Sequence, residues 1–205
     1  VGACTPDLCV IPHEDLTEEF VRCGIDRAAI LPAGIPVRAA FREKGDRAAA
    51  RKALGLPSEG RHIVLMSGSI GCGPMCDVAE ELDIRMEKGD FASVLCGSNK
   101  QMRYALELRR LRRVEAVGFT TEVPLYMDSA DVLVSKPGGI SITEAGSRGV
   151  PLLLADMVGG CETRNQVFFT AHGWASACPP EDMASAALRF LGDPAAASAL
   201  VAAQH

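Results

Sequence analysis

The chain has 205 residues, 48% apolar and 23% charged, with a formal charge of −5, which is room for one large globular domain or one domain and part of another. That charge lacks the basic footprint of a nucleic-acid partner, and no apolar run approaches the roughly 20 residues of a membrane-spanning helix. The eight cysteines (4, 9, 23, 72, 76, 96, 161 and 178) form no CxxC pair and no Cys/His cluster at zinc spacing, so they read as reduced, cytosolic side chains, most of them filling core positions.

Taken in order, short β-type runs alternate with helical patterns. Residues 7–12 (DLCVIP) read as a strand, 14–23 as a helix and 28–32 as a strand, followed by a Pro/Gly-rich hinge at 32–36. A helix at 47–54 stops at Gly55. Strands are then expected at 62–66, 91–96, 114–119, 131–135 and 152–155, with helices at 74–88, 100–111, 123–129, 141–148, 163–171, 181–191 and 194–203. This alternation implies βα units and an α/β fold: a Rossmann-like parallel sheet of roughly six strands with helices on both faces. Ligands of such sheets bind beyond the carboxyl ends of the strands, which is where the glycine-rich stretches 67–73, 97–98 and 137–139 fall. The five arginines of 103–113 (RYALELRRLRR) read as a solvated helix face with Glu107 interleaved, the alternative being an anionic partner surface.

Three loops have the chemistry to hold a ligand. In 66–73 (MSGSIGCG) the glycines are spaced GxxGxG, and neither the dinucleotide fingerprint nor the Walker lysine is present; the loop could equally be a plain βα turn. In 135–151 (SKPGGISITEAGSRGVP) a strand feeds through glycines into a helix. Free N–H groups and the positive end of the helix dipole then converge on a spot suited to phosphate. The competing reading there is a capping box, Ser141-Ile142-Thr143-Glu144, that only closes the helix start. In 159–165 (GGCETRN) glycines precede Glu162 and Asn165, whose polar groups could reach sugar hydroxyls; Glu162 could instead simply complement a helix dipole.

Together these stretches resemble the C-terminal half of a GT-B glycosyltransferase. The likeness is carried by GIPV (34–37), LMSGSIGCG (65–73), VGF (117–119), DVLVSKPGGISITEA (131–145), GVP (149–151) and GGCETRN (159–165). It is closest to the branch of bacterial diacylglycerol glucosyltransferases, plant monogalactosyldiacylglycerol synthases and the transferase that adds N-acetylglucosamine to lipid I. The resemblance implies that residues 1–33 are a remnant of an N-terminal domain and interdomain link, and that 34–205 form a UDP-sugar-binding domain. Glu144 would then accept from ribose hydroxyls. Gly138, Gly139 and the N–H groups of Ser141 and Ile142, next to Thr143, would face the diphosphate, with Ser67, Gly68 and Ser69 flanking it. Phe119 would sit against uracil, and Glu162 and Asn165 would hold the sugar. At Cys161 the chain departs from the Gln usual in that branch, and a thiol does not donate and accept as an amide does.

The implied reaction is transfer of a hexose from UDP-sugar to a lipid acceptor such as diacylglycerol. No cofactor is implied, and no metal, since no Asp-x-Asp motif occurs. The acceptor and the catalytic base would lie mainly in the N-terminal domain, so this chain alone is expected to bind donor without transferring it. The expected location is the cytoplasm, with peripheral contact to the membrane face. The alternatives are a UDP-N-acetylglucosamine 2-epimerase-like enzyme and a non-catalytic nucleotide-sugar-binding module.

Overall fold

The computed structural model describes residues 6–43, 45–66, 74–155 and 162–204. The chain divides into two compact units, Val1–Val37 and Arg38–His205. In the first, β1 (Cys9–Ile11) pairs in parallel with β2 (Ile30–Pro32), with α1 (Thr17–Arg22) between them. The run expected as one helix over 14–23 is a 3-10 turn, Glu14–Leu16, followed by α1.

The second unit carries the sheet. Its elements are α2 (Arg47–Leu54), β3 (His62–Met66), α3 (Met75–Arg85), β4 (Phe91–Leu95), α4 (Lys100–Arg109), β5 (Val114–Val117) and α5 (Val123–Ser129). They continue as β6 (Val132–Ser135), α6 (Gly139–Ser147), β7 (Leu152–Leu154), α7 (Thr163–Ala171), β8 (Ser176–Ala177), α8 (Met183–Leu191) and α9 (Pro194–Ala203). Helix boundaries follow local chemistry. Asp46, Asn99 and Asp193 each accept a backbone N–H at the start of α2, α4 and α9, which satisfies donors the first turn leaves open. Gly55 ends α2 at φ 68°, a left-handed conformation that costs glycine little.

Six strands pair in parallel in the order β5-β4-β3-β6-β7-β8. The central strands β3, β4, β6 and β7 are buried almost throughout, as near-continuous apolar runs should be when helices cover both faces. Ile63, Leu65, Val94, Val132 and Val134 pack with Met75, Val78 and Leu82 of α3 and Met183, Ala184 and Ala187 of α8. Chain order runs outward from β3 to β5 on one side and from β6 to β8 on the other, so the topology switches between β3 and β6. The crevice of a doubly wound sheet opens at that point. The strands also finish level: Met66 pairs with both Leu95 and Ser135, Leu95 with Val117, Ser135 with Leu154, and Leu154 with Ala177. Every loop that follows a strand therefore leaves from one edge.

His62, at the start of β3, is fully buried. Its Nδ1 and Nε2 each lie 2.9 Å from a serine hydroxyl, Ser129 and Ser93, and its ring stacks on Phe91. Burial, reinforced by the nearby Arg51 charge, presses its pKa down to about 3. The unfolded chain protonates this histidine below about pH 6.5 whereas the folded chain resists until about pH 3, so the unfolded state binds the extra proton and stability falls as pH drops through that window. The expected slope is up to about 1.4 kcal/mol per pH unit from this one group. Urea unfolding of the wild type and His62→Gln from pH 7 to 4.5 checks it: the variant starts less stable but loses stability less steeply. Parallel slopes would assign the acid sensitivity elsewhere.

Candidate functional site

The β6–α6 junction occupies one wall of the crevice. Helix α6 begins at Gly139, with Gly138 as its N-cap and no side-chain cap. The capping-box reading is therefore corrected: Ser141 lies inside the helix and Glu144 a turn further on, because Gly138-Gly139 lets the helix start earlier than the S-x-x-E pattern implies. The N–H of Ile142 donates to Gly138 O at 3.1 Å and its side chain is buried. The amides of Gly139, Ile140 and Ser141 find no acceptor among the described residues. The open N–H groups thus run from Gly139 to Ser141, and that of Ile142, expected among them, is used within the helix. Thr143 turns its hydroxyl back onto Gly139 O at 2.7 Å.

Glu144 is only 3% exposed. Its carboxylate takes a fork from Arg38, with Nε 2.7 Å from Oε1 and Nη2 3.2 Å from Oε2. The Arg38 guanidinium also lies 4.6 Å from the ring centroid of the buried Phe41, and its hydrogen bond to Glu144 raises its pKa above the ordinary arginine value. The pair spans more than a hundred positions of sequence, beyond the reach of any local pattern.

A second carboxylate is held in the same way. Glu162 precedes α7, and its Oε1 accepts from Lys136 Nζ at 2.6 Å. Asn165 donates Nδ2 to Pro137 O at 3.0 Å. A Cβ placed on Gly138 would lie 3.4 Å from Glu162 Oε1 and 3.6 Å from Lys136 Nζ, so this ion pair lies against the backbone that opens α6. The structure thus joins Gly138, Gly139, Glu162 and Asn165 around one loop and places Ser141, Thr143 and Glu144 on the helix that follows it. Phe119 stands two residues past β5, 78% exposed, at the same edge of the sheet. Ser67, Gly68 and Ser69 lie outside the described residues, as do Gly159, Gly160 and Cys161. Arg38 and Lys136 are additions to the motif-based set. Arg38 stands next to the quoted motif residue Val37, and Lys136 lies inside the quoted motif 131–145, where no role was assigned to it.

The geometry is that of a doubly wound parallel sheet with a glycine-opened helix at its switch point and carboxylates, each bonded to a basic side chain, close to open amides. Residues 75–204 match the family described as "Glycosyl transferases group 1", and the chain belongs to it. It is 29% identical over 177 residues to monogalactosyldiacylglycerol synthase 2 of Arabidopsis thaliana, covering 80% of this chain and 37% of that protein. It is also 29% identical over 161 residues to the processive diacylglycerol beta-glucosyltransferase of Staphylococcus carnosus, covering 78% of this chain and 41% of that protein. The chain spans about two fifths of the length of the curated relatives it matches. Among solved structures, Anabaena HepE in complex with UDP-glucose superposes with a TM-score of 0.63 at 17% identity, over 97% of this chain and 58% of that one. A Listeria monocytogenes structure provisionally assigned as a UDP-N-acetylglucosamine 2-epimerase reaches 0.72 at 16% identity, over 96% of this chain and 54% of that one. At such identities the likeness establishes the shared fold and nothing about the reaction.

Proposed function

We propose that this chain is the donor-binding domain of a glycosyltransferase that moves a hexose from a UDP-sugar to a lipid acceptor such as diacylglycerol. The observation that carries the reading is the start of α6: three open amides at the switch point, with the buried Glu144 on the same helix. As the glycosidic bond of the donor breaks, negative charge gathers on the departing diphosphate, and preorganised N–H groups stabilise it without reorientation. The chain has no Asp-x-Asp pair, and the reading assigns this role to the helix terminus without a metal. Arg38 uses one lone pair on each Glu144 oxygen, which leaves the carboxylate capacity to accept from two ribose hydroxyls. Asn165 donates to Pro137 O, so its Oδ1 faces a sugar hydroxyl as acceptor, beside Glu162. Phe119 supplies an exposed aromatic face for the base. Descriptions of the relatives as diacylglycerol glycosyltransferases support the lipid acceptor. Among the described residues no single helix is long and apolar enough to cross a membrane; the reading places contact with the lipid at the surface of the cytoplasmic face.

The test is calorimetric titration of the 205-residue chain with UDP, UDP-glucose and UDP-galactose, with and without EDTA. Saturable binding that EDTA leaves unchanged is the expected result. No binding of UDP at millimolar ligand by a folded sample would sink the donor-site reading. Glycolipid formation from diacylglycerol, assayed with a longer protein carrying this chain, tests the acceptor.

A further inference from the structure

We infer that Lys136 is a positioning residue for the donor sugar: it fixes the Glu162 carboxylate and thereby sets how much the sugar, as distinct from the nucleotide, contributes to binding. The inference rests on the donor-site reading above. Lys136 is the first residue after β6, and its ammonium sits 3.6 Å from where a Gly138 Cβ would be, next to the N-terminus of α6. A cation is disfavoured there, because the helix dipole presents its positive end. The contact that offsets this is Glu162 Oε1 at 2.6 Å, in a setting where both side chains are about three-quarters shielded from water. A charge-assisted bond of this length in a partly dry site holds both groups in one geometry.

The same loop also captures a polar side chain in the first turn of α7, since Pro137 O accepts from Asn165 Nδ2 at 3.0 Å. Two contacts therefore stitch the Lys-Pro-Gly loop to the first turn of α7. Glu162 and Asn165 are thus placed relative to the amides of α6 by residues of the loop between them. Without Lys136 the Glu162 carboxylate would be free to turn toward water, and the sugar would meet a mobile acceptor; the amides and Glu144, which would take the nucleotide, are not touched by that change.

Affinity for UDP, UDP-glucose and UDP-galactose is measured for the wild type, Lys136→Met, Lys136→Arg, Glu162→Gln and the Met/Gln double variant. Lys136→Met should leave UDP affinity within about twofold while cutting the advantage of the better UDP-sugar over UDP by about five- to tenfold, the worth of one hydrogen bond. Lys136→Arg should restore most of the advantage, and the double variant should lose no more than Glu162→Gln alone. An unchanged advantage in Lys136→Met, or an equal loss for UDP and UDP-sugar, overturns the inference and leaves the donor site standing. A wild type that binds UDP but gains nothing from either sugar does the same. A wild type that does not bind UDP overturns both.

Discussion

Replacing Arg148 by methionine should lower folding stability by about 3–5 kcal/mol, the usual cost of stripping one partner from a buried ion pair. Arg148 caps the C-terminus of α6 and its guanidinium is bonded to the Asp128 carboxylate; both residues are buried. Its Nη1 reaches Ala40 O at 3.3 Å, and Asp128 Oδ1 accepts the N–H of Gly45 at 3.1 Å. The pair thus ties α5, α6 and the segment leading into α2 at a single point. With the cation gone, the Asp128 charge stays in a dry site with one amide for company. Pairing Arg148→Met with Asp128→Leu should recover much of the loss, because no charge is then left unmatched. Urea unfolding of the single and double variants decides the matter; a single-variant loss under about 1 kcal/mol would show that water reaches the pair.

Glu144→Ala should weaken UDP binding by roughly ten- to a hundredfold or slightly more, about 1.5–3 kcal/mol for a charged acceptor of hydroxyl protons. Stability should change little by comparison, since the abandoned Arg38 side chain is 67% exposed and water can take over its donors. A capping box would have given the opposite pattern, about 1 kcal/mol of stability and no change in affinity; the position of Glu144 within α6 already argues against it. Uridine sharpens the test. If the carboxylate serves the ribose, uridine and UDP lose affinity by similar factors. A loss confined to UDP would mean that Glu144 acts on the diphosphate by holding Arg38, and would move the ribose contact elsewhere.

Much of the fold was legible because the buried strands are short apolar runs and the helices carry a clear period: strand 62–66 and helices 123–129, 163–171 and 194–203 were read to the residue. The two-residue strand Ser176–Ala177 and the 3-10 turn Ala39–Phe41 were not, as neither carries a run long enough to show a period. Helix α6 was read two residues late, because a local S-x-x-E match outweighed what Gly138-Gly139 permits. Among the described residues, two of the five arginines in the arginine-rich stretch are ion-paired, Arg103 with Glu107 on the same helix and Arg109 with Glu80. What no local pattern could supply is the pairing of charges. Arg38 with Glu144, Lys136 with Glu162 and Asp128 with Arg148 each join residues that only the packed fold brings together.

The level finish of the strands separates inheritance from invention in this fold. Because β3, β4, β5, β6 and β7 all stop in register with their neighbours, each loop begins at the same height and owes nothing to the length of the others. A loop can lengthen, shorten or change its side chains while the ladder beneath keeps every hydrogen bond. Chimeras that exchange the segment after β7 between this chain and a relative should therefore fold as well as their parents, with the donor preference travelling in the exchanged piece.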